Sequence, residues 1–416
     1  MAEIKEALQD FNPWWKGKFD SEFKEREIYI KIQKFIPLPQ IIALTGLRRV
    51  GKTTLLYKII DDTIGEGFEA KNIIYFSFDE FSETEIRKVM KEYEQMMEKD
   101  MRNGRYLLLL DEIQKLGNWE NQLKTIYDTL RKNIKIIISG SESLFIKRKS
   151  KGVLAGRIFE FKIEPLSFKE YLGFKGIHLE PAGLYGEELA KLFREFALSL
   201  GFPELVGIKD KDIIKKYVKE SIVEKIIYRD IPKLFKVKDV SVIERLLTIL
   251  MEEPGQIIEI SELANDLKIS RQTLSNYFSY LEESFLIRKL YNFSKSRRKV
   301  ERKLRKYYPT VISVDLLFKE DDLSKSKVFE WLVVNQLEAE FFWRDPYKNE
   351  VDIVMVDKKI MPIEVKYGKI DFKGIFVFMN KFKVDEGYII SFSDEKKQKI
   401  NGKLIFVMPA FKFLLR

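Results

Sequence analysis

The chain has no cysteine and a single histidine, His178. Without thiols there can be no disulfide, thiolate metal site or cysteine nucleophile. One histidine between helical segments leaves zinc chemistry and histidine-based catalysis without their usual groups. No apolar run approaches the roughly 20 residues of a membrane-spanning helix. The start, Met1-Ala-Glu-Ile-Lys-Glu6, has no apolar signal core, so a cytoplasmic protein with no membrane partner is expected. Abundant Lys, Glu and Ile without Cys is a composition shared with heat-adapted intracellular proteins. At 416 residues the chain exceeds one ordinary core and calls for two to four domains. Its 74 basic and 64 acidic residues give a net charge of +10, which favours an anionic macromolecule such as DNA as partner. The segment Lys295–Lys306 concentrates this charge, with eight basic residues and one acid, Glu301.

Against that background one segment carries chemistry. Gly46, Leu47, Arg48, Arg49, Val50, Gly51, Lys52 and Thr53 follow the apolar, β-prone run 40–45 and lead through Thr54 into a helix expected over Thr54–Ile60. A buried strand, a glycine loop ending in Lys-Thr and a helix form a phosphate-binding loop for ATP or GTP. The glycines admit backbone angles and close approach that a side chain would block. The N–H groups then face a phosphate at a helix start, where the dipole favours negative charge. Lys52 suits the β- and γ-phosphates, and the Thr53 hydroxyl suits Mg²⁺.

A second run, Tyr106-Leu-Leu-Leu-Leu-Asp-Glu112, reads as a central parallel strand ending in two acids. Asp111 suits Mg²⁺, and Glu112 suits orientation and deprotonation of an attacking water. Strands are expected near Ile41–Thr45, Ile73–Phe78, Leu107–Leu110, Ile134–Ser139 and Ile158–Ile163. With helices between them they form an α/β domain, a parallel sheet over residues 1–165. Ser139 or Ser141, ending the fourth run, could sense the γ-phosphate or simply make a turn. Arg157 could reach phosphate charge in its own subunit or a neighbour's, which leaves a homo-oligomer open, or lie on the surface.

Residues 166–237 turn helical and are expected as a lid on the nucleotide domain, with a break at 201–204. In 238–310, a short helix capped by Ser261, a turn, a helix from Arg271 to Leu281 and a strand over 285–291 make a winged-helix pattern. Arg271, Gln272, Thr273 and Asn276 project from the exposed start of the second helix, and the adjoining basic stretch suits DNA phosphates. In 311–416, Glu330 lies near the start of a helix over 328–337, Asp352 on a strand over 350–356, and Glu364 and Lys366 on one face of the next strand. Three carboxylates beside a lysine are suited to Mg²⁺ or Mn²⁺ and phosphodiester cleavage. The competing reading pairs the same charges as salt bridges in a retained fold.

The chain as a whole resembles the archaeal AAA-type P-loop ATPases whose ATPase domain precedes a winged helix and a restriction-endonuclease-like domain of the PD-(D/E)XK type. The resemblance rests on Asn12-Pro-Trp-Trp15, Gly46–Thr53, Leu110-Asp-Glu-Ile-Gln114, Leu154-Ala-Gly-Arg157, Pro165-Leu-Ser-Phe168, Gly201-Phe-Pro-Glu204, Glu350-Val-Asp352 and Ile363-Glu-Val-Lys366. It implies Mg²⁺-dependent ATP hydrolysis coupled to DNA binding or cleavage. In nucleases of this fold the matched acids and lysine bind metal and activate water; no Pro-Asp pair precedes Glu364 in this chain. A nucleotide-dependent switch or a transcription regulator with an inactive nuclease-like domain are the alternatives.

Overall fold

A computed structural model of the chain describes residues 2–141, 152–179, 182–235, 237, 239–296, 300 and 304–416. The chain divides into two compact units, Met1–Pro165 and Leu166–Arg416.

In the first unit, five apolar runs become the strands β1 (Ile41–Thr45), β2 (Ile73–Ser77), β3 (Tyr106–Asp111), β4 (Ile134–Gly140) and β5 (Ile158–Lys162). They pair in parallel in the order β2-β3-β4-β1-β5. β1 and β3 are buried along their whole length, which is why their sequences are unbroken apolar runs. Helices Lys52–Gly65, Ile86–Met97 and Trp119–Leu130 follow β1, β2 and β3. The first begins two residues before the expected Thr54 because Gly51, at φ 95°, turns the chain into it, and it runs on to Gly65.

β2 lies at a sheet edge, where unpaired backbone groups need partners. Asn12 supplies two of them. Its Oδ1 accepts from the Tyr75 N–H at 2.7 Å and its Nδ2 donates to the Tyr75 carbonyl at 2.8 Å. The indoles of Trp14 and Trp15 both donate to the Ile73 carbonyl, at 3.1 and 2.8 Å. The Asn-Pro-Trp-Trp motif thus covers this strand edge.

The second unit opens with helices Phe168–Phe174 and Gly186–Ser199. Ser167 and Glu170 form a reciprocal capping box at the first. The Leu166 N–H donates to the Gly201 carbonyl at 2.7 Å, so two of the motifs that looked family-specific join each other. Further helical turns run from Lys211 to Phe235. Then come helix Ser241–Glu252, β6 (Gln256–Ile257), helices Ile260–Asp266 and Arg271–Glu283, β7 (Ile287–Asn292) and β8 (Arg305–Pro309). Ser261 is not the cap expected of it: the first of these two helices begins at Ile260, with Glu259 in the extended cap position. Ser270 caps the second, accepting from the Thr273 N–H at 3.0 Å. Leu274, Phe278 and Leu281 are buried along one face of it.

β8 pairs antiparallel with both β6 and β7. β7 also pairs in parallel with β9 (Phe341–Arg344), which pairs antiparallel with β10 (Glu350–Val351). One sheet, β10-β9-β7-β8-β6, therefore carries strands from both sides of residue 310. The last sheet contains β11 (Ile353–Val356), β12 (Ile360–Lys366), β13 (Glu386–Ser391), β14 (Lys396–Ile400) and β15 (Lys403–Pro409), in the order β11-β12-β13-β15-β14. Helix Lys373–Phe382 packs through Ile375, Phe378 and Met379 into one core with Ile389 and Ile405 of this sheet and Trp343 and Val351 of the previous one. The strand expected over 350–356 is broken: β10 and β11 belong to different sheets, with Asp352 at the junction. The helix holding Glu330 begins at Asp322, so Glu330 sits in its interior rather than near its start. No helix among the described residues is long and apolar enough to cross a membrane.

Candidate nucleotide site and a C-terminal charged cluster

The loop from Gly46 to Gly51 leaves the carboxyl end of β1 and enters helix Lys52–Gly65. Arg49 and Gly51 take positive φ, 68° and 95°, and Gly46 lies at 144°. A Cβ on Gly46 would stand 2.3 Å from the Ile163 carbonyl oxygen, so no side chain fits there. Gly46→Ala is therefore expected to cost at least about 1–3 kcal/mol from its backbone angles alone. Chemical denaturation should show the loss, and an unchanged midpoint would mean that the loop sits elsewhere. Buried Arg26 braces the same loop, donating to the Val50 carbonyl and to the Glu164 carbonyl, each at 2.8 Å.

Lys52 is buried, and its Nζ donates to the Gly46 and Leu47 carbonyls at 3.0 and 2.8 Å. The ammonium is thereby folded over the loop whose N–H groups would receive a phosphate. The Thr53 hydroxyl donates to Asp111 Oδ2 at 2.7 Å, which joins the loop to the end of β3. The Tyr75 hydroxyl donates to the same oxygen at 2.9 Å. Burial, and next the Asp111 charge, push the Tyr75 phenol far above its ordinary value, so it stays a donor. Asp111 Oδ1 accepts from the Ser139 hydroxyl and, at 3.0 Å, from the Glu112 N–H. Glu112 itself is left-handed, at φ 51°. Its Oε2 accepts from Gln114 Nε2 at 2.5 Å and from the Ser141 hydroxyl at 3.3 Å. Two hard oxygen donors, Thr53 and Asp111, thus meet beside a lysine, with a second carboxylate oriented next to them. That set fits a Mg²⁺ ion, which takes oxygen ligands.

The structure does not bring Arg157 to this group. Its carbonyl accepts from the Ile41 N–H at 2.8 Å, at the amino end of β1. The loop leaves the opposite end, roughly 13 Å away at about 3.3 Å per residue. Arg157 instead pairs with Asp128, Nε to Oδ1 at 2.9 Å. Gln114, Tyr75 and Arg26 were not foreseen as members of the site. Gln114 follows the two acids closely enough to have been suspected; the other two arrive by tertiary packing.

In the second unit, Glu330, Asp352, Glu364 and Lys366 do converge, but around a residue that the sequence places among surface charges. Lys306 is buried, and its Nζ lies 2.5 Å from Glu350 Oε1, 3.4 Å from Glu330 Oε1 and 3.7 Å from Asp352 Oδ1. Burial alone would lower the Lys306 ammonium, yet Tyr308, Glu330, Asp352 and Glu350 together hold it well above its ordinary value. Burial, then Glu364 and Glu330, push the Asp352 carboxyl well above the usual range. Burial likewise raises Glu364, against the pull of Lys366, whose Nζ is 2.8 Å from Glu364 Oε1. The expected Mg²⁺ or Mn²⁺ site does not assemble. Among the described residues, no group of three or more Asp, Glu, His or Cys is arranged to hold a metal ion. Lys306 is also lost to the basic stretch expected to face DNA, because β8 turns it inward; 297–299 and 301–303 of that stretch lie outside the described residues.

Residues 38–172 match the AAA domain family, which places the nucleotide site in the class of AAA-type P-loop ATPase domains. Residues 190–310 and 326–413 match two domains of unknown function, DUF8612 and DUF4143. The chain belongs to the family of the uncharacterized protein MJ1544 of Methanocaldococcus jannaschii, with which it is 30% identical over 94% of its own length and 90% of that protein's. A second uncharacterized protein of that organism, MJ1637, is 28% identical over 96% of this chain and 89% of its own. Among solved structures, Cdc6p from Pyrobaculum aerophilum aligns over 77% of this chain and 98% of its own, at 11% identity and a TM-score of 0.33, too slight a likeness to carry an argument.

Proposed function

We propose that the chain is a Mg²⁺-dependent ATP hydrolase that works on DNA. The observation that carries this reading is the 2.7 Å bond from Thr53 to Asp111, the chain neighbours of Lys52 and Glu112. In this reading the N–H groups of residues 46–54 cradle the phosphates, and Lys52 exchanges its two carbonyl partners for β- and γ-oxygens. Thr53 and Asp111 would hold Mg²⁺, which would supply neutralisation of the phosphate charge. Glu112 takes a proton from the water that attacks the γ-phosphorus, while the bond to the bridging oxygen breaks towards ADP. Ser139 keeps Asp111 oriented, and Ser141 with Gln114 does the same for Glu112. A role for Arg157 would then be towards a neighbouring subunit.

For the rest of the chain we propose a helical segment at 166–237, a winged helix at 238–310 and a nuclease-like fold at 311–416. The winged helix is supported by the order of helices and strands from Ser241 to Pro309 and by the β6-β8-β7 ladder. DNA is supported by the exposure of Arg271 and Gln272 at the start of a helix shaped for a groove, and by the net charge of +10. The test is ATP turnover of the full chain with duplex, single-stranded and branched DNA. Turnover should rise several-fold with at least one of them and lose that rise as salt increases. Turnover indifferent to every DNA, with nucleotide-dependent binding of a protein, would favour the switch reading instead.

A further inference from the structure

We infer that Lys306 is the resident cation of the C-terminal acid cluster, and that this cluster therefore excludes the divalent ion that phosphodiester cleavage would need. The carboxylate oxygens are largely committed. Glu350 gives Oε1 to Lys306 and faces Arg344 with Oε2, at 2.5 and 3.3 Å. Glu330 Oε1 accepts from the Tyr308 hydroxyl at 2.5 Å and faces Lys306 at 3.4 Å. Asp352 accepts from the Val365 N–H through Oδ2 at 2.8 Å and turns Oδ1 towards Lys306 at 3.7 Å. Glu364 Oε1 meets Lys366, which leaves Glu364 Oε2 as the one oxygen of these pairs that is buried without a hydrogen-bond partner. Mg²⁺ needs only one or two carboxylates from a protein and completes its shell with water, so what keeps it out is the charge already seated among these acids. A divalent ion on Glu330, Glu350 or Asp352 would sit next to a buried ammonium, where screening of like charges is weak.

Lys306 is not a surface side chain that happens to reach in. It is paired through its backbone to Ile257 of β6 on one side and Leu290 of β7 on the other. The pairing fixes its backbone in the sheet interior and its side chain is buried, so its charge is part of the cluster. The acids converge, but their counter-ion is built into the chain.

The test is Mn²⁺ binding by paramagnetic resonance to the nucleotide-free full chain, with Asp111→Asn present throughout to silence the phosphate-loop site. This background is expected to bind no Mn²⁺ up to millimolar concentration. Adding Lys306→Met should create a site for about one ion per chain, lost again with Asp352→Asn. Circular dichroism establishes that each variant is folded, and Lys306→Gln replaces Lys306→Met if the latter is not. Mn²⁺ bound by the background chain and abolished by Asp352→Asn overturns the inference, whatever the Lys306 variants do. A folded Lys306 variant that binds none overturns it as well, since the lysine would then not be what keeps metal out. Neither outcome touches the ATPase reading, which rests on other residues.

Discussion

Glu112→Gln is expected to bind ATP with unchanged affinity and to hydrolyse it about 10²–10⁴-fold more slowly, the usual contribution of a general base. Both parts follow from the site. Glu112 has its backbone in a left-handed conformation, and its Oε2 is fixed by Gln114 and Ser141. It is held in place without bonding to the loop that would grip the phosphates. The amide keeps the size and shape of the side chain, so the surroundings need not repack, but it cannot accept the proton of an attacking water. Single-turnover kinetics with labelled ATP, alongside equilibrium binding of a fluorescent nucleotide, separate the two effects. Hydrolysis at the ordinary rate would move the base to another residue.

Lys52→Ala should fail at the earlier step. A hydrogen bond to a charged group contributes about 1.5–3 kcal/mol, so affinity should fall roughly 10–100-fold from one such bond alone. Turnover should fall further, by on the order of 10²–10³, because charge on the transferring phosphoryl group loses a positioned cation. The substitution also withdraws a donor from the Gly46 and Leu47 carbonyls, which are buried, so some stability is lost with it. A folded chain that melts somewhat below the parent, with weakened nucleotide binding in calorimetry, is the expected pair of results. Normal binding by Lys52→Ala would remove the phosphate-loop reading.

Much of the first unit was legible because parallel strands buried on both faces must be continuous apolar runs. The five runs were found within one or two residues of where they lie, as were the glycine loop and the two acids. A parallel sheet places both at one side, and the strand order, with only β4 between β1 and β3, brings them within reach. The errors are equally physical. For Arg157 the sequence leaves open a phosphate contact in its own subunit, one in a neighbour, or a surface position. Preceding β5, it stands at the opposite end of the sheet from its own phosphate loop, which removes only the first. The sequence puts Glu330 near the start of its helix because the capping residue Asp321, which accepts from the Ser324 N–H at 2.9 Å, lies before the apolar pattern begins. The pattern predicts one strand through Asp352, since nothing in Glu350-Val-Asp-Ile-Val reveals that its two halves join different sheets.

From the sequence alone came the nucleotide chemistry: a lysine, a threonine and two carboxylates of the right kinds, each at the end of an element whose type its local pattern dictates. The tertiary structure alone decided the fate of the C-terminal acids. Lys306 lies in a run of basic residues and has every local mark of a solvated charge, yet pairing of β8 between β6 and β7 turns it inward onto Glu350, Glu330 and Asp352. Periodicity reports which face of a strand a side chain occupies. What lies opposite that face depends on contacts between residues distant in the chain, and here it is the partner that determines whether a group of acids meets a metal ion or an ammonium.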